Sequence, residues 1–241
     1  MRLDVAELTC RGGREHNEDA VWSRVAGDYA ALLVADGLGG CDAGEIASAA
    51  ARDAFAANVC LTDEGVTAQK LAELTAECQR AICEHPSQNH AMRSTFAAML
   101  LSPKGALMAH VGDSRLYQLR GDQTLYQSVD HSVSQIAVLS GEIKPSEIRH
   151  HRDRNKLYYT LGGDALPSLE PDALTDVRPG DGFLLCSDGF WENVLELEMC
   201  FDLLKSETAA AWLDSMLARL ARRVNGKHDN FSAVALICQE G

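Results

Sequence analysis

Four pairs of residues with an acidic member stand where apolar runs of the chain begin or end. They are Glu18-Asp19, Asp36-Gly37, Asp188-Gly189 and Asp229-Asn230. A carboxylate at the boundary between core and solvent costs free energy unless a positive charge neutralises it. Several carboxylates that converge on one place would hold hard cations such as Mg²⁺ or Mn²⁺. The pattern therefore predicts a metal-dependent hydrolase.

The elements that must position these acids can be predicted from periodicity and turn residues. The continuous apolar run 29–35 indicates a buried strand that leads into Asp36-Gly37, and Gly39, Gly40 and Gly44 precede an alanine-rich helix at about 43–59. The remaining predicted strands cover 2–10, 19–25, 94–101, 106–111, 115–120, 123–128, 183–187 and 231–238, and the remaining helices cover about 67–84, 197–205 and 208–224. Helix pairs among strands joined by tight turns favour a layered α+β fold over a parallel sheet.

The segment 130–164 has no clear periodicity and is rich in histidine and arginine. This composition predicts an exposed flap that carries short helices. We find no linker that would divide the 241 residues, so we expect one domain over 1–241 with this flap inserted in it.

The composition excludes several classes of function. A net charge of −13 would repel a nucleic-acid backbone or an anionic membrane, and no apolar stretch approaches the length of a transmembrane helix. The eight cysteines include no CxxC pair, which argues against a disulfide framework or a zinc site. We therefore expect a cytoplasmic protein that neither binds nucleic acid nor inserts into a membrane.

An ordered set of motifs gives the chain a specific resemblance. The motifs are Arg14-x-x-Asn17-Glu18-Asp19, ADGLGGCDAGEIAS over 35–48, RSTFAAML over 93–100, HVGDSRLY over 110–117, DHS over 130–132, Leu161-Gly162, LLCSDGFW over 184–191 and DNFSAV over 229–234. Together they resemble the metal-dependent Ser/Thr protein phosphatases (PPM, type 2C), in family order and across essentially the whole chain. The resemblance implies an αββα fold, with two antiparallel sheets between helix pairs.

The resemblance also implies the ligands of a binuclear metal centre. Asp19, Asp36, Asp188 and Asp229 match the metal carboxylates, the Gly37 carbonyl matches a backbone ligand, and Glu18 matches an acid that reaches metal through water. Two Mn²⁺ or Mg²⁺ ions about 3.5–4 Å apart can activate a shared water for attack on phosphorus. On this reading no side chain acts as the nucleophile, and Asp36 is needed for catalysis.

Arg14 matches the phosphate-binding arginine of the family, because a guanidinium fork can take two phosphate oxygens at once. Arg11 is an alternative candidate for this role, although its spacing to Asn17-Glu18-Asp19 does not fit the motif. Asp113 matches a residue that, with Asp188, holds a third and weaker metal ion in bacterial members. The alternative for Asp113 is that it only caps its turn.

One position departs from the family pattern. Many eukaryotic members have a histidine after the Asp-Gly pair, proposed as the general acid, whereas this chain has Leu38, like many bacterial members. The general acid is therefore unassigned, and a metal-bound water could serve instead.

The implied reaction is hydrolysis of phosphoserine and phosphothreonine monoesters in proteins, opposed by a bacterial Ser/Thr kinase. The expected partners are that kinase and its targets, with components of type VI secretion as a weaker hypothesis. One alternative is a catalytically silent relative that binds phosphoproteins, but such proteins usually lack a metal carboxylate. The other is a nuclease or a small-molecule phosphatase, against which the negative charge and the motifs argue.

Overall fold

The computed structural model describes residues 1–38, 43–87, 92–164, 171–174 and 176–241. Its strands are β1 Arg2–Cys10, β2 Asp19–Ala26, β3 Tyr29–Leu38, β4 Arg93–Ser94, β5 Phe96–Ser102, β6 Gly105–Val111, β7 Arg115–Arg120, β8 Gln123–Gln127, β9 Asp172–Leu174, β10 Asp181–Cys186 and β11 Phe231–Gln239. Its α-helices are α1 Ala43–Asn58, α2 Ala68–Cys83, α3 Val133–Leu139, α4 Asp188–Trp191, α5 Glu196–Lys205 and α6 Ala209–Arg223.

The strands form two antiparallel sheets. The first has the order β1-β11-β10-β7-β8, and the second has the order β2-β3-β5-β6-β9 with β4 paired to β3. Helices α1 and α2 pack on the outer face of the second sheet, and α5 and α6 pack on the outer face of the first. The predicted α+β fold with αββα layers is therefore confirmed.

Strand β3 illustrates why a buried strand appears as one continuous apolar run. Ala30, Leu32 and Val34 face the core between the two sheets, while the alternate residues Ala31, Leu33 and Ala35 face α1 and α2. Successive side chains of a strand point to opposite faces, and here both faces are covered. All six residues are fully buried.

The sequence missed several short elements. The predicted strand 94–101 is divided into β4 and β5 at Thr95, and β9, α3 and α4 were not predicted as individual elements. Each of β4, β9 and α4 spans two to four residues, which is too short for hydrophobic periodicity to show. Gly39, Gly40 and Cys41, which belong to predicted motifs, lie outside the described residues.

The segment 130–164 carries short helices as predicted, namely α3 and a 3₁₀ turn at Pro145–His150. It is less exposed than expected, because Asp130, Ile148, Arg149 and Leu161 are buried. Asp130 accepts two hydrogen bonds, of 2.8 and 2.7 Å, from the buried Arg115 guanidinium. The start of the segment 130–164 is therefore fixed to the first sheet by a buried ion pair.

The described cysteines, Cys10, Cys60, Cys78, Cys83, Cys186, Cys200 and Cys238, are free thiols, in agreement with the prediction. In the parts of the chain that the structure describes, no helix is long and apolar enough to cross a membrane. Trp191 and Trp212 are buried core residues.

Candidate metal centre

A cleft of about 570 Å³ opens where β3, β6, β10 and β11 reach the loops that carry the acidic motifs. Its walls include six of the seven predicted metal ligands, Glu18, Asp36, Gly37, Asp113, Asp188 and Asp229. Arg14 and Leu38 line it as well. The fold thus brings together residues that lie up to 215 positions apart in the sequence.

The seventh predicted ligand, Asp19, lies directly behind this wall. It is the first residue of β2 and pairs in register with Asp36 of β3. Ser187, directly after β10, donates a hydrogen bond of 2.8 Å to Oδ2 of Asp19. Asp19 is therefore held from both sheets.

Gly37 and Gly44 allow the start of α1 to approach the end of β3 and the side chain of Glu18. A Cβ atom on Gly37 would stand 2.0 Å from the carbonyl oxygen of Gly44, and one on Gly44 would stand 2.8 Å from the carboxyl carbon of Glu18. No larger side chain fits at either position without movement of the backbone. Both glycines thus allow the start of α1 to lie against Gly37 and Glu18.

Burial and mutual repulsion make this cluster electrostatically expensive. Burial raises the pKa of Asp36 well above its usual range, and the carboxylates of Asp19, Asp188, Asp113 and Asp229 raise it further. Burial also raises the pKa of Asp188, to which Asp113 adds. The pKa of Asp19 is raised to about 6 and that of Asp113 to about 7, in both cases chiefly by burial. Such a cluster needs cations to be fully ionised at neutral pH.

The donor set fits hard divalent cations. It consists of carboxylate and carbonyl oxygens, and Oδ1 of Asp19 is buried without a hydrogen-bond partner, an orphaned acceptor that a cation would satisfy. Across the described residues, no three His, Cys, Asp or Glu side chains already stand at the spacing of a finished metal site. The carboxylates are gathered in one cleft, and small side-chain movements would have to complete the coordination.

Arg14 projects into the same cleft and bonds to a predicted ligand. Its Nη2 donates to Oδ2 of Asp229 at 2.7 Å, and this contact raises the pKa of Arg14. The side chain of Arg14 is 58% exposed, so the guanidinium remains accessible to an anion. In this position it can present a fork to a phosphate group beside the carboxylates.

Asn230 belongs to the Asp229-Asn230 pair, but its role in the site was not predicted from the sequence. Its buried side chain accepts a hydrogen bond from the Glu18 amide and donates to the carbonyls of Arg11 and His16, at 2.8, 2.7 and 2.9 Å. One side chain thus fixes the loop that carries both Arg14 and Glu18. Its place in the DNFSAV motif was the available signal, but only the fold reveals which loop it holds.

Asp113 is also held from behind. The indole Nε1 of Trp191 donates a hydrogen bond of 2.9 Å to the Asp113 carbonyl, and the guanidinium carbon of Arg115 lies 3.5 Å from the centre of the Trp191 ring. Because α4 runs from Asp188 to Trp191, it connects two predicted ligands. Asp113 is 5% exposed, so it is more than a surface turn residue.

The comparison with known families decides the class of this site. The family model described as protein phosphatase 2C matches residues 9–229. The chain belongs to the protein phosphatase 2C family. The serine/threonine protein phosphatase PstP of Mycobacterium tuberculosis is 32% identical over 228 residues, which cover 92% of this chain and 42% of that protein. This chain thus corresponds to less than half the length of that relative.

Solved structures of protein phosphatase 2C relatives share the fold. The catalytic domain of PstP in complex with two manganese ions superposes with a TM-score of 0.80 at 30% identity, covering 99% of both chains. PppA, a regulatory component of the type VI secretion system in Pseudomonas aeruginosa, gives a TM-score of 0.80 at 26% identity and covers 98% of both chains.

Proposed function

We propose that this chain is a metal-dependent protein phosphatase that hydrolyses phosphoserine and phosphothreonine monoesters. The observation that carries the proposal is the convergence of Asp36, Asp113, Asp188 and Asp229 with Arg14 at one cleft, with Asp19 paired to Asp36 behind its wall. Membership of the protein phosphatase 2C family supports the same reaction. The manganese ions in the PstP structure support Mn²⁺ or Mg²⁺ as the cofactor of this chain, with two ions in the main site.

The residues divide the work in a simple way. Asp19, Asp36, Asp188 and Asp229 with the Gly37 carbonyl would hold the two ions, and Glu18 would contribute through water. Two such metal ions would supply an activated water and Lewis acidity toward the phosphoryl group. Arg14 binds and orients the phosphate, since it already lies beside Asp229 and would exchange a carboxylate oxygen for phosphate oxygens. Asp113 with Asp188 would hold a third, weaker ion.

Leu38 lines the cleft at the position that follows the Asp-Gly pair. An aliphatic side chain cannot donate a proton to the leaving alkoxide, so we propose that water in the cleft does so. The cleft is wide and polar enough to contain such water.

We further propose phosphorylated proteins as the partners, namely a bacterial Ser/Thr kinase and its targets, in the cytoplasm. The likeness to PppA supports type VI secretion as one setting. A catalytically silent phosphoprotein-binding role is not favoured by any residue of the site, because each predicted ligand carboxylate is retained.

The test is phosphate release from a phosphothreonine peptide with and without Mn²⁺, beside the Asp36→Asn variant. We expect turnover that requires Mn²⁺, that EDTA abolishes, and that Asp36→Asn lowers by about 10²-fold or more, because this residue lies among four other carboxylates of the site. A folded, Mn²⁺-loaded protein with no turnover on any phosphopeptide would refute the proposal.

A further inference from the structure

A second groove of about 300 Å³ opens beside the metal cleft. Arg14, Asn155, Asp188 and Asp229 line both cavities, so the two are continuous. When the phosphorylated residue of a peptide lies in the cleft, the residues next to it in the peptide would therefore lie in this groove. The metal chemistry described above uses only the residues that the groove shares with the cleft.

One wall of the groove is a loop pair fixed by close backbone contact. The Gly13 amide donates a hydrogen bond of 3.0 Å to the His228 carbonyl, and a Cβ atom on Gly13 would stand 2.2 Å from the Gly226 carbonyl oxygen. This contact places Lys227 and His228 next to Arg14. The wall is therefore a built surface and not a chance array of side chains.

The opposite wall comes from the segment 130–164 and from the loop after α4. Arg154 forms an ion pair with Glu192, and both line the groove. Arg223 at the end of α6 closes it and bonds to Glu198 at 2.6 Å. The positions of both arginines are thus fixed by carboxylates.

The groove is lined by more basic than acidic side chains, unlike the protein as a whole. Arg14, Arg154, Arg223, Lys227 and His228 line it with only Asp188, Glu192 and Asp229, in a chain of net charge −13. Lys227 is exposed and has no carboxylate within ion-pair distance among the residues that the structure describes. Nδ1 of His228 is buried without a hydrogen-bond partner. Arg14, Arg154 and Arg223 are each paired with a carboxylate, so among the described residues Lys227 is the cation of the groove that an anionic side chain could pair with.

We propose that this groove is a subsite for an anionic side chain, a carboxylate or a second phosphate, close to the phosphoresidue of the substrate. Lys227 is its main specificity determinant. The inference rests on the proposed phosphatase function and adds to it a preference for acidic phosphoproteins. Opposite charges across such a contact guide association and select partners more than they add affinity.

The experiment compares peptides with a central phosphothreonine whose hydrolysis is measured. On both sides of it they carry glutamate, glutamine or a further phosphothreonine. We expect the Mn²⁺-loaded protein to have a kcat/KM about threefold to tenfold higher for the glutamate peptide than for the glutamine peptide, with the difference falling as salt rises. Lys227→Gln should bring the ratio close to one, and Lys227→Glu should reverse it. Lys205→Gln, an exposed lysine of α5, is the matched control and should keep the wild-type ratio.

Binding of the same peptides to the Asp36→Asn variant, followed by fluorescence anisotropy, separates this inference from the proposed function. Tighter binding of the glutamate or doubly phosphorylated peptide that requires Lys227 supports the subsite even if turnover is absent. Equal kcat/KM and equal binding for the glutamate and glutamine peptides would overturn it while leaving the phosphatase function intact. The doubly phosphorylated peptide shows whether phosphate or carboxylate is the better occupant.

Discussion

The Ser187 hydroxyl donates a hydrogen bond of 2.8 Å to the Asp19 carboxylate and thereby joins the two sheets at the metal cleft. Ser187 follows β10 of the first sheet, and Asp19 begins β2 of the second. The hydroxyl also accepts a hydrogen bond of 2.9 Å from the Ser232 amide. The orientation of Asp19, and with it the direction of the orphaned Oδ1, is thus set by a residue outside the predicted ligand set.

Ser187→Ala should therefore weaken metal binding more than it weakens chemistry. Loss of a group that orients a metal ligand typically costs about 10–100-fold in metal affinity. We expect the Mn²⁺ concentration for half-maximal activity to rise by that factor, while activity at saturating Mn²⁺ recovers most of the wild-type value. Metal titration of phosphatase activity is the measurement.

Ser215→Ala is the control for this prediction, because the Ser215 hydroxyl donates a hydrogen bond of 2.9 Å within helix α6, to the Ala211 carbonyl. It should leave the Mn²⁺ dependence unchanged. If Ser187→Ala loses kcat equally at every Mn²⁺ concentration, the hydroxyl does not act through the metal ligand.

A second prediction concerns Asn230, whose side chain makes three hydrogen bonds to the loop of Arg14 and Glu18. Asn230→Ala leaves the carbonyls of Arg11 and His16 and the amide of Glu18 without that partner, at a cost of about 1–3 kcal/mol for each group that water does not reach. The loop should loosen, and the KM for a phosphopeptide should rise with a fall in kcat, because we propose that Arg14 orients the phosphate.

Steady-state kinetics together with thermal melting measure this effect. Asn58→Ala removes an exposed hydrogen bond of 2.8 Å at the end of α1. It should leave KM and kcat close to their wild-type values. Wild-type kinetics for a folded Asn230→Ala variant would contradict the role of Asn230 in holding the loop.

The convergence of the predicted ligand carboxylates and Arg14 at one cleft could be predicted because their motifs are short, ordered and adjacent to clear strands. Asn230 and Ser187 were part of quoted motifs, yet their roles depend on contacts with residues 212 and 168 positions away. Sequence periodicity describes one element at a time and cannot reveal which loop a side chain meets across the fold. The groove beside the cleft could not be predicted for the same reason. Its walls combine residues that lie far apart in the sequence, among them Arg14, Arg154 and Lys227.

The third prediction concerns metal removal. The raised pKa values of Asp19, about 6, and Asp113, about 7, mean that the folded metal-free protein holds protons which the unfolded chain releases near pH 4. The stabilisation from the protonated carboxyls is full below about pH 4 and is lost as pH rises through 6–7. Metal-free protein should therefore lose thermal stability through this range, and Asp36→Asn should reduce the loss.

Mn²⁺ should reverse that destabilisation at about pH 8 and have a small effect at about pH 5, because protons compete with the metal. At about one hundred times its Kd, Mn²⁺ would add about 2.7 kcal/mol, which corresponds to a rise in Tm of about 5–10 °C for a chain of this size. Differential scanning fluorimetry at the two pH values is the measurement. An equal Mn²⁺ shift at both would show that these carboxylates do not bind the ion.

The last prediction concerns His131, whose ring stacks on that of His110 with centroids 4.7 Å apart. Nδ1 of His131 accepts a hydrogen bond of 3.1 Å from the Gly112 amide, next to Asp113, so protonation would break this bond and repel His110. Burial, with a contribution from His110, lowers the pKa of His131 to about 4. The neutral ring thus stabilises the fold above about pH 6.5, and this stabilisation is lost as pH falls toward 4. The exposed edge of the ring limits the loss to about 1–2 kcal/mol.

The measurements are NMR titration of the imidazole of His131 and a comparison of denaturant stability with His131→Asn, whose amide oxygen can keep the Gly112 bond without titrating. An ordinary imidazole pKa near 6.5 would contradict the prediction.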